Sequence, residues 1–128
     1  MIVAGVGCRR GAGAPDVEAA IRAALARAGV ASSDLDAIAT IAAKRGETGI
    51  EAVAAKLGVT VMLVSEADLK AAAPRTETHS ARVLALTGVP SVAEAAALAA
   101  AGPSAQLISP RLVIGSATCA LASSEEAS

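Results

Sequence analysis

At 128 residues the chain fits a single domain with its own core, and 54% hydrophobic against 18% charged residues excludes a disordered tail. Eleven basic against twelve acidic residues give a net charge of −1, so no basic field draws the chain to nucleic acid or a membrane. Phe, Tyr and Trp are absent, which removes the stacking surfaces that single-stranded nucleic acid needs and leaves Leu, Ile, Val, Ala and Met to build the core.

In chain order, the apolar run Ile2-Val3-Ala4 predicts a buried strand running into a glycine-rich turn, Gly5-Val6-Gly7-Cys8-Arg9-Arg10-Gly11. Gly13 and Pro15 open a helix expected over 15–28, with Val17, Ile21, Ala24, Leu25 and Ala28 on one apolar stripe and Gly29 as its stop. Residues 37–41 predict a second strand, followed by the polar loop Lys44-Arg45-Gly46-Glu47. Thr48 and Glu51 form a capping box for a second helix that buries Ile50, Val53, Ala54 and Leu57 and stops at Gly58. A third strand is expected over 59–64, and Ser65 with Asp68 caps a short helix ending in the alanines before Pro74.

Residues 74–78 read as irregular and near the mouth of a pocket, and 80–87 as a short helix. Ser91 and Glu94 make another capping box, opening a helix that runs to Ala101. Glu94 is expected to reach back to the Ser91 N–H, a role that glutamine could also fill. A fourth strand over 106–108 and a short fifth over 112–114 precede a turn at Gly115-Ser116 into 117–122. The Gly-Val pairs at 29–30, 58–59 and 88–89 read as one capping device used three times. This alternation predicts an α/β fold: a three-layer α/β/α sandwich with a mostly parallel, mixed sheet of about five strands. One domain is expected over 1–122, with 123–128 a disordered polar tail.

Several chemistries are excluded. Cys8, Cys119 and the single His79 fit no metal-ligand spacing, so no metal is expected and the thiols read as reduced. The glycines at 5, 7 and 11 miss the dinucleotide fingerprint, because Arg10 takes its third position. The second strand also ends in Ile41-Ala42-Ala43-Lys44 with no acid to hold a ribose. No phosphate-loop lysine follows a glycine run, and no cofactor is expected. The start lacks a basic segment, and no apolar stretch approaches the ~20 residues of a membrane span, so the chain reads as soluble and cytoplasmic.

What remains is a basic rim. If the first two strands are neighbours, their carboxyl-end loops bring Arg9, Arg10, Lys44 and Arg45 together, where arginine forks and helix N-termini suit carboxylates. The alternative is a solvated charged surface. Cys8, between a strand and a helix start, could act as a nucleophile or simply fill space; the packing role is favoured. His79 could act as a general base or be an exposed loop histidine.

The opening Gly-Val-Gly-Cys-Arg-Arg-Gly, the Lys44 loop and the block Gly88-Val89-Pro90-Ser91-Val92-Ala93-Glu94-Ala95-Ala96-Ala97-Leu98 resemble a cobalamin biosynthesis family, that of CobE and the C-terminal domain of CbiG. The closing segment 107–122 resembles that family's end, so the likeness spans residues 2–122. The resemblance implies a part in building the corrin ring of vitamin B12, with a precorrin or corrinoid tetrapyrrole as ligand and other pathway enzymes as possible partners. It points to the stand-alone form of the aerobic pathway, since there is no room here for the second domain with which the full-length protein opens a lactone. The family pattern has Asp-Leu-Lys where this chain has Ala42-Ala43-Lys44, so a hydrolase role lacks a carboxylate there. The expected ligand-binding set is Gly7, Cys8, Arg9, Arg10, Gly11, Lys44, Arg45 and His79; no catalytic residue is identifiable. A non-catalytic carrier, or a regulatory module binding an anionic metabolite, are the other readings.

Overall fold

The computed structural model describes residues 1–8, 11, 13–41, 48–77 and 91–124. Strand β1 (Ile2–Cys8) leads to helix α1 (Ala14–Ala28), strand β2 (Ala37–Ile41), helix α2 (Thr48–Leu57), strand β3 (Thr60–Val64) and the short helix α3 (Glu66–Ala72). Helix α4 (Val92–Ala101) precedes strands β4 (Gln106–Ile114) and β5 (Ala117–Ser123). The five strands form one sheet in the order β3-β2-β1-β5-β4. β1, β2 and β3 are parallel, whereas β5 is antiparallel to both its neighbours, which gives the expected mixed sheet.

Period-two alternation sorts the strands onto two cores. Ala4, Val6, Ile38, Cys119 and Leu121 face α1 and α2, meeting Val17, Ile21, Leu25, Ile50 and Val53. Each fully buried Ile or Leu contributes roughly 1.5–3 kcal/mol there. Val3, Ala37, Ala39, Val64 and Ala122 face the other way, against Leu69 and Ala72 of α3 and Ala95 to Ala101 of α4. Among the described residues, α1 and α2 thus cover one face and α3 and α4 the other. Among the described residues no helix is long and apolar enough to cross a membrane.

The two capping glycines that can be followed behave alike. Gly29 and Gly58 adopt φ of +69° and +70°, and the next residue donates back in each case, Val30 N–H to the Leu25 carbonyl at 2.9 Å and Val59 N–H to the Ala54 carbonyl at 3.0 Å. The third pair, 88–89, and the helix expected over 80–87 lie outside the described residues.

Four boundaries differ from expectation. The segments 106–108 and 112–114 are one strand, β4, whose nine residues face the seven of β5 by taking up two register shifts. Pro110, which has no N–H to give a ladder, sits in the second shift, and this break is what made the sequence read as two short strands. Pro74 lies in a 3-10 turn over Ala73–Arg75 that continues directly from α3, so the irregular stretch starts later than expected. Thr48 is already the first helical residue of α2, which moves the cap position to residue 47, outside the described residues. Lastly, β5 reaches Ser123 and the Ser124 N–H donates to the Met1 carbonyl at 3.0 Å, so ordered backbone passes residue 122.

Candidate functional site at the carboxyl edge of the sheet

β1 pairs with β2 only through Gly5 and Ala39 and with β5 as far as Cys8 and Ala117. Beyond Gly5 the two parallel strands part, and the buried Thr40 hydroxyl bridges the gap, donating to the Val6 carbonyl at 2.8 Å. On the other side Thr118 donates to the Gly7 carbonyl at 3.1 Å. Thr40 therefore satisfies a β1 carbonyl on the side where the ladder to β2 has ended. Both strands end there, at the carboxyl edge of the parallel part of the sheet.

Helix α4 begins at this edge. It approaches β1 more closely than side chains would allow: a Cβ on Gly5 would lie 1.9 Å from the Ala93 carbonyl oxygen and 2.7 Å from the Ala97 nitrogen. Its N-terminus reaches Gly7, with Val92 4.0 Å from where a Cβ would stand. Ser91 caps it, its hydroxyl accepting from the Glu94 N–H at 3.3 Å.

Glu94 itself departs from the expected box. Its carboxylate is fully buried, and its two oxygens accept the Glu77 and Arg111 N–H groups, each at 2.8 Å. The second of these is released by the β4 bulge. One side chain thus ties together α4, the backbone after α3 and the bulged strand. The composition hint was available: Glu94 is the sole charged residue in the helix sequence VAEAAALAAA, with Pro110 breaking the strand nearby.

The β4–β5 turn lies at the same edge, beside the end of β1. Asp16, in the first turn of α1, accepts from both the Ser116 N–H at 3.0 Å and the Ser116 hydroxyl at 2.7 Å. These bonds, the backbone one first, hold its carboxyl below the ordinary value. Asp16 is therefore engaged with the hairpin, and α1 starts at Gly13 with no side-chain cap.

Of the expected ligand-binding residues, the structure places Gly7 on the last stretch of β1, half-buried, Cys8 at the end of that strand, and Gly11 in an exposed turn with φ of +76°. Arg9, Arg10, Lys44, Arg45 and His79 lie outside the described residues. Cys119 is core: burial pushes its thiol up to about 12, and it faces α1 in the first core cluster. A groove of about 380 Å³ lies elsewhere, by the C-terminal half of α4, lined by Leu98, Ala105, Leu107 and Arg75. There one Arg75 nitrogen is held by the Gly102, Pro103 and Ala105 carbonyls at 3.1–3.4 Å, a fastening of the α4–β4 turn that residue spacing did not reveal.

Comparison with known proteins adds an independent line. A family model described as cobalamin synthesis G C-terminus matches residues 2–122. Protein CobE of a Sinorhizobium species is 42% identical over 121 residues, covering 94% of this chain and 79% of that protein. The crystal structure of CobE, a protein from the cobalamin (vitamin B12) biosynthetic pathway, superposes with a TM-score of 0.88 at 39% identity, over 95% of this chain and 89% of that one. The cobalamin biosynthesis protein chiG of Agrobacterium tumefaciens str. C58 gives a TM-score of 0.74 at 41% identity, over 98% and 100%.

Proposed function

The chain belongs to the cobalamin synthesis G C-terminus family and is a cobalamin-biosynthesis protein; from that premise we propose that it binds a precorrin or corrinoid intermediate at the carboxyl edge of its sheet. The carrying observation is the convergence of elements at that edge: the β1–β2 ladder ends there, and α1 and α4 both begin there. In sequence Arg9 and Arg10 follow β1 directly, and Lys44 and Arg45 follow β2, the two strands that end at that edge. Corrin precursors are apolar macrocycles ringed by acetate and propionate arms, which call for an apolar floor and a cationic rim.

Binding and handing on is favoured over catalysis. Among the described residues, Asp16 and Glu94, two carboxylates in the first turns of α1 and α4, are both engaged by N–H groups, and Ala42-Ala43-Lys44 supplies no acid. The protein then acts in the cytoplasm with the enzymes that make and use its ligand, in the aerobic pathway. An absorption titration with cobyrinic acid tests this reading: saturable perturbation of the corrin bands is expected, and an unchanged spectrum contradicts it. Arg9→Ala or Lys44→Ala should weaken that binding by roughly 1.5–3 kcal/mol, the worth of a hydrogen bond to a charged group, without lowering the melting temperature. If an isolated precorrin is turned over, the carrier role gives way to an enzymatic one.

A further inference from the structure

On the α4 face of the sheet, the row nearest the carboxyl edge is Gly7, Thr118 and Val113, paired across three strands. Leu112 and Ile114 pack into the α1 core, so strand alternation turns Val113 to this opposite face. Val113 is 55% exposed, the most open large hydrophobic side chain among the described residues. Gly7 contributes no side chain, and the Thr118 hydroxyl is turned into the sheet toward the Gly7 carbonyl, so the row is flat and weakly polar.

A cation stands beside it. Arg111 lies two residues before Val113 in the bulge opposite Ala120, and the Glu94 carboxylate holds its N–H. Among the described residues, Arg22, Arg27, Lys56, Lys70 and Arg75 all donate to carboxylates, a serine hydroxyl or carbonyls. The Arg111 guanidinium has no such partner, although the residue is half-buried. An unpaired guanidinium next to an open apolar row is complementary to a ligand that is itself both flat and anionic.

We infer that Thr118, Val113 and Arg111 form a platform for one face of a carboxylate-bearing tetrapyrrole, with the ring over Val113 and a peripheral carboxylate paired to Arg111. This rests on the corrinoid-binding reading above and assigns the residues that orient the ring. Because the Arg111 contact to Glu94 is made by the backbone, replacing the side chain leaves that tie intact.

The test is equilibrium dialysis of parent and variants against two probes: cobyrinic acid, whose arms are free carboxylates, and cobinamide, whose arms are amidated. Arg111→Ala should weaken cobyrinic acid binding about tenfold and leave cobinamide unchanged, and Arg111→Lys should recover much of the loss. Val113→Asp should weaken both probes, with melting temperatures kept in every variant. Parent-like binding of both probes by Arg111→Ala and Val113→Asp overturns the platform while leaving corrinoid binding standing. Equal weakening of both probes by Arg111→Ala overturns the carboxylate pairing. A parent protein that binds neither probe ends the corrinoid reading and the platform with it.

Discussion

Glu94 shows how much one buried charge can organise. A fully buried carboxylate is tolerated only when its oxygens are satisfied, and here two backbone N–H groups at 2.8 Å do so. Glutamine in its place would turn an amide N–H₂ toward one of those donors and leave a buried N–H unmatched. Glu94→Gln should therefore lose roughly 1–3 kcal/mol in chemical denaturation, where the capping-box reading expects a mild effect. Ser91→Ala tests the cap alone and should cost about 0.5–2 kcal/mol. If Glu94→Gln unfolds at the parent's denaturant midpoint, the buried tie has no energetic weight.

Asp16 carries a prediction about pH. Its carboxyl is held low in the folded protein by the Ser116 N–H and hydroxyl, so the folded state binds a proton less readily than the unfolded one. The stabilisation is then complete above the unfolded value and fades as pH falls through the folded one. Hydrogen-exchange protection of the Ser116 N–H should decline below about pH 4, the ordinary range for an aspartate. In Asp16→Ala that protection should be weak at every pH. A pH-independent parent profile would contradict the assignment.

At the scale of elements, α4 and β1 explain each other. The sheet face beneath α4 is built from Gly5, Ala37, Ala39, Ala120 and Ala122, and the helix meets it with alanine, so the backbones come close enough that a single methyl does not fit. In Gly5→Ala the new Cβ would press on the Ala93 carbonyl and the Ala97 nitrogen, which are backbone and cannot rotate aside. Overpacking of this kind costs about 1–3 kcal/mol, and the 1.9 Å approach puts this variant at the severe end by melting temperature. An unchanged melting temperature would mean that α4 is not seated as described. β4 shows the converse: its bulges, Pro110 and the Arg27 guanidinium donating to the Ser109 hydroxyl at 2.8–3.0 Å and to the Pro110 carbonyl anchor a strand whose ladder is interrupted.

At the scale of the whole molecule, most of the fold is legible because each helix announces its ends locally. The Gly-Val stops at 29–30 and 58–59, the Ser65 and Ser91 caps and the alternating strands are all readable within a few residues of sequence. Where β5 inserts is not, since its place between β1 and β4 depends on contacts a hundred or more residues apart, such as Asp16 with Ser116. The same holds for the site. Gly7 and its turn are visible as a motif, whereas the Glu94 tie needs the bulge at Pro110 and the end of α3 to meet in space. Arg111 reads in sequence only as one arginine in an apolar strand.

The most direct test of corrinoid binding at the carboxyl edge is an amide-shift map, in which the ¹⁵N-labelled protein is titrated with cobyrinic acid. The largest shifts should fall at Gly7, Gly11, Gly13, Ser116 and Thr118, around the end of β1 and the hairpin tip. Shifts confined to Leu98, Ala105 and Leu107, in the groove beside the other end of α4, would contradict it.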